Sequence, residues 1–362
     1  IELYAEGGVI IGATGLPAPG ALGACIEIAG KHDVVVDGFT IQEGGGVFGW
    51  TNSEGIAIRD LGAVGGTGSY NITIRNCVFE NIVPRSGVDD SVSLPLSIYS
   101  LADERLGHTN VHDILIEDCI FQNCNVTSVT EITPGYLSIM GNVENVTIKD
   151  CYFYHDRTLY DTIANGINFS GNRLGGYPDT PRYCRVVGNT FETPPNDYVM
   201  QQACYLNVCS NIIVERNYFK NWSLGPEVAA EVPDLNTSYN IIIRRNIIES
   251  YYWGVTLGAF SDFYSTIYNI WVDSNTIRAG ILVTSANGEQ PTGLLFTNNI
   301  ITGTITDDTT GCTFSNNTTD DVVRIDNLYT ETPSWVEYNT QELDYNGSKD
   351  KRTKGAVEQQ WM

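Results

Sequence analysis

The sequence contains few positively charged residues. Its 362 residues include 20 Lys and Arg against 43 Asp and Glu, which gives a formal net charge of −23 at pH 7. A chain this acidic repels other polyanions, so nucleic acid is not expected as a partner. Neutral glycans, and acidic glycans held through cations, stay open as partners. The acidity would also keep an exported protein soluble without any role in binding.

Long hydrophobic runs are missing too. No stretch of about 18 apolar residues occurs, so the sequence predicts no membrane span, and it shows no signal peptide. The opening residues IELYAEGGVIIGA do not begin with Met and already read like strands of a stacked repeat. Because the first strands of such a stack need a cover, we expect a processed or truncated N-terminus that has lost a cap or an attachment domain.

Cysteine occurs nine times, but no spacing matches a zinc knuckle. Three cysteines share one position of the repeats described below, and two others fall five residues before that position. We interpret these five as small buried side chains; they are Cys77, Cys119, Cys151, Cys184 and Cys312. A disulfide could instead join Cys119 to Cys124. Another could join Cys204 to Cys209, so the sequence leaves the redox compartment open.

What the sequence does contain is one segment repeated many times. NITIRNCVFEN (71–81) returns as NIIVERNYF (211–219), NIIIRRNII (240–248) and similar copies, each with Cys or Asn at a marker position. An apolar residue lies three positions before each marker, and Phe or Ile lies two positions after it. This pattern predicts two short strands that meet at a tight bend, repeated along the chain with insertions of different length. The markers are Cys77, Cys119, Cys151, Asn189, Asn217, Asn246, Asn275 and Asn299, with Asn317 as a weaker last member.

The marker position has a physical role. A buried Asn at the same corner of every coil can hydrogen-bond to the Asn above and below it, which satisfies polar groups that would otherwise lack partners. On these segments the chain resembles the right-handed parallel β-helix proteins, the superfold of pectate lyases, polygalacturonases, phage tailspikes and bacterial surface proteins. The resemblance implies an all-β solenoid of about ten coils over residues 1–325, followed by an irregular cap or tail at 326–362.

A third strand is expected between successive markers, with long inserts on both sides of it. Loops along two edges of one sheet form a trough, and the resemblance implies that a polysaccharide lies there. Loops on a rigid scaffold are also where binding residues are most expected. We predict these third strands at residues 26–28, 55–60, 96–100, 136–140, 166–170, 204–208, 229–232, 254–258 and 281–284.

Charged residues in neighbouring loops are the candidates for catalysis. Glycoside hydrolysis needs two carboxyl groups that flank the bond, one of them kept protonated. The segment SGVDDS (86–91) resembles the paired aspartates of polygalacturonases, although that family's Gly-His-Gly and Arg-Ile-Lys motifs are absent. A lyase would instead need a base, and a cation or Arg to neutralise a uronate. The predicted catalytic residues are Asp89, Asp90, Asp103, Glu104, His108, Asp156 and Asp161.

Aromatic and polar side chains on or near the trough are the candidates for sugar binding. Flat rings present apolar faces to sugar C–H groups, and Tyr hydroxyls bond to sugar hydroxyls. Acidic loops could bind Ca²⁺, although no compact calcium-loop signature is present. The predicted substrate-binding residues are Arg59, Tyr99, His155, Arg157, Asn168, Tyr205, Trp222, Tyr252 and Trp253.

These features predict an extracellular, polysaccharide-active enzyme, a glycoside hydrolase before a lyase. The closing segment LDYNGSKDKRTKGAVEQQ resembles the end of many secreted or cell-surface β-helix proteins, which implies a secreted, cell-surface or virion location. The alternative is a non-enzymatic structural or adhesive protein of a virion or cell surface, and a homo-oligomer such as a trimer is open in either case. A carboxyl pair with a raised pKa in the trough would favour the enzyme. Symmetric subunit contacts would favour the structural role.

Overall fold

The computed structural model describes residues 1–5, 10–12, 24–42, 45–46, 52–60, 68–82, 92–100, 109–124, 135–156, 165–171, 180–194, 202–230, 237–258, 266–285, 291–307, 309, 312–317, 341–343 and 349–351. All regular structure within these ranges is β-strand. Three long sheets contain 11, 11 and 10 strands, and their neighbours are parallel except for the two-residue strand Gly45–Gly46. No helix that could span a membrane occurs in the described ranges.

Each coil contributes one strand to each sheet, in a fixed order. The first-sheet strands are Glu2–Tyr4, His32–Asp37, Tyr70–Arg75, Val111–Glu117, Val143–Lys149, Arg185–Val187, Ser210–Glu215, Thr237–Arg244, Thr266–Asp273, Thr292–Thr297 and Cys312–Ser315. The second-sheet strands are Ile10–Gly12, Thr40–Gln42, Val78–Glu80, Ile120–Gln122, Tyr152–Tyr154, Thr190–Glu192, Tyr218–Lys220, Ile247–Glu249, Thr276–Ile277 and Ile300–Ile301.

The third sheet completes each coil. Its strands are Ala24–Ala29, Asn52–Arg59, Val92–Ser100, Gly135–Gly141, Asn165–Ser170, Gln202–Asn207, Leu224–Ala229, Trp253–Leu257, Gly280–Val283 and Ile305–Asp307, with Gly45–Gly46 paired antiparallel to the second of them. A separate antiparallel pair joins Gln341–Leu343 to Lys349–Lys351. The chain therefore forms a parallel β-helix, as its repeats predict. The expected boundary at residue 325 lies outside the described residues.

The bend between the first and second sheets depends on a left-handed residue. The residue directly before each marker has a backbone φ between 52° and 69°. Residues other than Gly, Asn and Asp rarely adopt this left-handed region. Arg216 and Arg245 nonetheless adopt it, at 55° and 54°. The stacked strands on both sides impose the bend even where the local residue does not favour it.

The marker side chains form the predicted ladder. In each of the later coils the Asn Nδ2 donates to the Oδ1 of the next Asn at 2.9 to 3.0 Å, and also to a carbonyl of the preceding coil. The ladder consists of Asn189, Asn217, Asn246, Asn275, Asn299 and Asn317. In the earlier coils Cys151 donates its backbone N–H to Asn189 Oδ1 at 2.9 Å. The Asn ladder thus begins where the Cys markers end.

All nine cysteines are free thiols. Seven are buried, which confirms that Cys77, Cys119, Cys151 and Cys184 are small core side chains, while Cys312 is half-buried against the core. Burial raises the pKa of the Cys184 thiol to about 12. Neither of the two disulfides considered above is formed.

The core beside the ladder is a stack of aromatic rings. Five Phe rings two residues after their markers lie parallel, with centroids 4.6 to 4.8 Å apart. They are Phe79, Phe121, Phe153, Phe191 and Phe219, and Ile248, Ile277 and Ile301 continue the row. Each coil therefore places a large apolar side chain at the same register, and these side chains stack along the axis of the core.

The outer face of the first sheet carries ion pairs between coils. Arg75 Nε lies 2.8 Å from Asp37 Oδ2, and Lys149 Nζ lies 2.8 Å from Glu117 Oε2. Further along, the apolar side chains of Ile213, Ile242 and Trp271 form a separate buried cluster on this face. These ion pairs therefore join neighbouring coils on the outer face of the first sheet.

One predicted third strand is misplaced. The sequence places it at 229–232, whereas the strand is Leu224–Ala229. In the sequence, Gly225 and Pro226 suggest a turn. Pro removes one backbone N–H donor from the ladder but does not prevent a strand, and the strand stays in register with Gln202–Asn207. The strand Ile305–Asp307 has no counterpart in the prediction.

Candidate functional site

The outer face of the third sheet carries a continuous line of polar side chains. Six residues in consecutive coils align in register, and each is at most 5% exposed. We call them the polar row: Ser97, Ser138, Asn168, Tyr205, Glu227 and Thr256. Their strand neighbours, such as Ile98 and Leu206, lie in the core, so alternation points the polar row outward.

The outer face of the second sheet differs in its burial. Outward side chains there are half-exposed or exposed, and Ile247 reaches 48% exposure. The strands of the third sheet are flanked in sequence by the long inserts, most of which lie outside the described residues. Solvent is thus excluded from the polar row but not from the equivalent surface of the second sheet.

Four predicted substrate-binding residues lie on this outer face. Asn168 and Tyr205 are paired neighbours in the polar row. Arg59 and Tyr99 are paired neighbours two residues further along their strands. Their placement agrees with the trough predicted from the sequence. Their role in binding stays a prediction.

Two predicted substrate-binding residues lie inside the molecule instead. Trp222 is fully buried, with its ring edge-on to Phe191 at a centroid distance of 6.4 Å. His155 is fully buried as well, and its Nδ1 lies 2.5 Å from the Tyr136 hydroxyl. Both follow a second-sheet strand by one or two residues, where the chain turns toward the third sheet. Large side chains fill the core at this corner, so neither side chain is exposed on the outer face of the third sheet, and a binding role for them stays a prediction.

Two predicted aromatic residues lie at the start of a third-sheet strand. Tyr252 is 45% exposed and packs edge-on against Tyr251, with ring centroids 4.7 Å apart. Trp253 is half-buried and lies over Gly280 of the next coil, where an added Cβ would come within 2.5 Å of its ring. Only Gly leaves room for the indole there. Both rings are partly accessible at the edge of the outer face, and their role in binding stays a prediction.

The predicted catalytic residues are largely outside the described part of the chain. Asp89, Asp90, Asp103, Glu104, His108 and Asp161 lie there, as does the predicted binding residue Arg157. Asp156 is described and half-buried. Its charge adds to the rise in the pKa of Tyr154, which burial causes in larger part. The catalytic assignments therefore stay predictions.

The structure adds a carboxyl group that the sequence reading missed. Glu54 is 6% exposed, and its Oε2 lies 2.5 Å from Arg59 Nη2. Arg59 Nε lies 3.4 Å from Glu27 Oε1, so two carboxyl groups flank one guanidinium. Burial raises the pKa of Glu54, while Arg59 and a hydrogen bond from Ser97 oppose the rise, and the net direction is upward. A buried carboxyl with this shift is typical of functional sites.

Strict alternation hides Glu54 in the sequence. It would place Glu54 on the same side as Ile56, facing the core. A Cβ at Gly55, however, would meet the core side chains of Ile82 and Ile41 at 3.0 and 3.2 Å. Gly55 and Ile56 therefore both face inward, and Glu54 emerges on the outer face.

Glu227 is the second missed carboxyl group. It lies in the polar row between Tyr205 and Thr256 and is 3% exposed. The misplaced third strand put it in a loop. Beside it, the Thr256 hydroxyl is on a side chain only 1% exposed and has no hydrogen-bond partner among the described residues. A buried polar group without a partner is costly, and a ligand hydroxyl would satisfy it.

Metal ligands are not grouped in the part of the chain that the structure describes. No three His, Cys, Asp or Glu side chains there lie close enough to hold one ion. Calcium binding by the acidic inserts stays a prediction.

Known structures with a similar fold come from several kinds of protein. The tailspike of Escherichia coli bacteriophage HK620, in complex with a pentasaccharide, has a TM-score of 0.51 at 15% identity over 87% of this chain and 58% of its own. The chain is a right-handed parallel β-helix. The A-module of the Azotobacter vinelandii mannuronan C-5 epimerase AlgE6 has a TM-score of 0.48 at 14% identity, over 88% of this chain and 90% of its own. The Streptococcus pneumoniae surface adhesin PfbA has 0.47 at 14% identity, over 88% and 83%.

The β-helix spans about half the length of the tailspike chains it resembles, 47% in one structure and 58% in another. No protein-family model matches the sequence, and no curated protein does. At these identities the likeness shows the fold alone.

Proposed function

We propose that the protein binds a polysaccharide along the outer face of the third sheet and hydrolyses it. The polar row is the observation that carries this proposal. Parallel strands in register repeat their side chains at about 4.8 Å, which suits a polymer of repeating units. The row aligns hydroxyl, amide and carboxyl groups, which are the kinds of donor and acceptor that sugar hydroxyls bond to.

The tailspike structure supports a glycan-related function at a cell surface or on a virion. Its fold is shared with this chain, and that protein is in complex with a pentasaccharide. Because one fold hosts many functions, this support is an analogy. It favours a protein that handles glycans at a cell surface or on a virion.

Hydrolysis is proposed from the carboxyl groups beside Arg59. Glu54, whose pKa burial raises, is suited to donate a proton to a leaving glycosidic oxygen. Glu27, exposed on the other side of the guanidinium, is the candidate for the second carboxyl group. Among the predicted catalytic residues, the paired Asp89 and Asp90 remain candidates to assist them.

The experiment is incubation with a panel of neutral and acidic polysaccharides, with three readouts. Binding is followed by affinity electrophoresis, cleavage by new reducing ends, and elimination by the ultraviolet absorbance of unsaturated uronates. Reducing ends without that absorbance would confirm a hydrolase, and both together would indicate a lyase. Binding without products would favour the adhesive alternative. Absence of binding by the folded protein across the panel would contradict the proposal.

A single substitution tests the location of binding. Thr256→Val keeps the side-chain shape and removes a hydroxyl that bonds to no described residue, so thermal stability should not fall. Glycan affinity should fall about fivefold, the value of one hydrogen bond. Thr276→Val, on the outer face of the second sheet, is the matched control and should leave affinity unchanged. Equal affinities for both variants would place the glycan elsewhere.

A further inference from the structure

One guanidinium lies between the two carboxyl groups proposed for hydrolysis. Arg59 Nη2 lies 2.5 Å from Glu54 Oε2, and Arg59 Nε lies 3.4 Å from Glu27 Oε1. Arg59 and Glu54 are at most 9% exposed, whereas Glu27 is exposed. A buried cation therefore joins a buried carboxyl group to one that is open to solvent.

The local structure holds Arg59 in this position. Its backbone carbonyl accepts a hydrogen bond from Ser69 Oγ at 2.8 Å, which fixes the base of the side chain. Ala57 is the outward residue between Glu54 and Arg59 on their strand, and it pairs in register with Glu27. Because Ala carries only a methyl group, the long Arg59 side chain has room to reach both carboxyl groups across it.

This cluster holds one positive charge and two groups that can be negative. Burial raises the pKa of Glu54 and the charge of Glu27 adds to the rise, while Arg59 and a hydrogen bond from Ser97 oppose it. The favoured state therefore pairs a neutral Glu54 with an ionised Glu27. A second carboxylate would add an uncompensated negative charge to a buried site, which is costly. The described residues around the cluster include three further titratable groups, Cys25, Tyr99 and Asp60.

We propose that Arg59 is a positioning residue that holds one carboxylate at a time, Glu27 before proton transfer and Glu54 after it. The proposal rests on the proposed function, in which Glu54 is the proton donor. When Glu54 gives its proton to the leaving glycosidic oxygen, the bond from that oxygen to the anomeric carbon breaks and Glu54 becomes a carboxylate. In the same step Glu27 loses its charge, either by bonding to the anomeric carbon or by taking a proton from the attacking water.

The charge of the cluster stays constant through this step. The guanidinium faces one negative charge before the transfer and one after it, so no unpaired charge is left buried. In the first version, water then cleaves the bond between the sugar and Glu27 and gives a proton to Glu54. In the second version, the proton on Glu27 returns to Glu54 through solvent. Arg59 acts in both versions without contact with the glycan.

The coupling can be measured without any substrate. The titration of Glu54 is followed by NMR of ¹³C-labelled Glu carboxyl groups, with Glu54→Gln to assign the signal. In Glu27→Gln the guanidinium is left to Glu54 alone, so the titration midpoint of Glu54 should move to lower pH. In an Arg59→Met background, Glu27→Gln should no longer move it. Glu249→Gln removes an equal charge beside Arg278 on the second sheet and is the matched control, which should leave the midpoint unchanged.

Three results of this titration would overturn the inference, whether or not the protein cleaves glycans. The first is a midpoint that Glu27→Gln leaves in place. The second is a shift of the same size in the absence of Arg59, because the two carboxyl groups would then act on each other directly. The third is an equal shift in Glu249→Gln, because overall charge would then be the cause.

Kinetics on a glycan that the parent cleaves separate positioning from binding. Arg59→Lys keeps the positive charge but loses the planar fork that reaches both carboxyl groups. It should lower kcat at least about tenfold and leave KM nearly unchanged. A higher KM with unchanged kcat would mean that Arg59 binds the sugar, which would overturn the inference. A parent that cleaves nothing in the panel would contradict the proposed hydrolysis and the proton-transfer role with it, while the titration alone would decide whether Arg59 couples the two carboxyl groups.

Discussion

Two buried glutamates on different sheets show how one scaffold supports two kinds of surface. Glu215, on the outer face of the first sheet, lies 2.6 Å from Arg185 and 2.5 Å from Arg244. Glu54, on the third sheet, has one cation this close among the described residues, Arg59 at 2.5 Å. Burial alone would raise the pKa of both. The two guanidiniums outweigh burial at Glu215 and lower its pKa, whereas burial wins at Glu54.

The difference shows that ion pairs between coils stabilise the first sheet, and it supports the proposal that the third sheet serves a ligand. On the first sheet, paired carboxylates meet cations from neighbouring coils, as Asp37 does with Arg75. Ion pairs so arranged bind the coils to one another. The third sheet carries Glu54, whose pKa burial raises despite Arg59, and the Thr256 hydroxyl, which has no hydrogen-bond partner among the described residues. Such incomplete pairing costs stability and is typical of sites.

The largest expected effect comes from breaking the first-sheet cluster. Arg244→Met should lower the free energy of unfolding by about 3 to 5 kcal/mol, because it leaves Glu215 buried with one close cation fewer. Urea denaturation measures this loss. Arg278→Met removes an exposed partner of Glu249 and should cost less than about 1 kcal/mol. Equal losses would mean that the first-sheet pairs do not stabilise the fold.

The Asn ladder lies in the core behind the sheets, and breaking it should cause the second-largest loss of stability. Asn246 is buried, accepts from Asn217 at 3.0 Å, and donates to Asn275 at 3.0 Å and to the Val214 carbonyl at 2.9 Å. Asn246→Leu should cost about 2 to 3 kcal/mol because it leaves polar groups unpaired in the core. Thermal and urea unfolding measure it. The exposed neighbour Ile247→Thr is the control, and an Asn246 variant as stable as the parent would contradict the role of the ladder.

The periodic part of this architecture can be predicted from the sequence, and the two carboxyl groups of the candidate site cannot. A buried row repeats its residue type in every coil, so the Asn ladder and the Phe stack are visible as a pattern. Glu54 and Glu227 occur once each and leave no pattern. One is hidden by the local irregularity at Gly55, and the other by the turn-like Gly225 and Pro226.

Corner residues show a second limit of the pattern. Trp222 and His155 follow the second-sheet strand in polar, irregular sequence, and aromatic rings there fit a sugar site equally well. The burial of these rings decides between a sugar site and core packing, and burial depends on contacts with other coils. Ile82 and Cys124, buried at the position equivalent to Trp222, were the available signal that Trp222 faces the core. His155 had no such signal, because its equivalents are the polar residues Asn123 and Thr193.

The smallest expected effect is on the pH dependence of stability, and it distinguishes Glu54 from Glu215 most directly. The folded-state pKa of Glu54 is above its ordinary value of 4.5, so between those two values the folded protein keeps a proton that the unfolded chain releases. Stability should therefore fall as pH rises through that window, and Glu54→Gln should remove the fall. Urea denaturation at a series of pH values measures it.

Glu215 should behave in the opposite sense, because its folded-state pKa is below 4.5. Its contribution is present above the unfolded value and is lost as pH falls through the folded value, so the parent should lose stability relative to Glu215→Gln only on acidification. The two difference profiles, each parent minus variant, should have slopes of opposite sign. Slopes of the same sign would mean that Arg59 compensates Glu54 as fully as the arginines compensate Glu215. The outer face of the third sheet would then be another stabilising surface, and Glu54 would lose its claim to act as a proton donor.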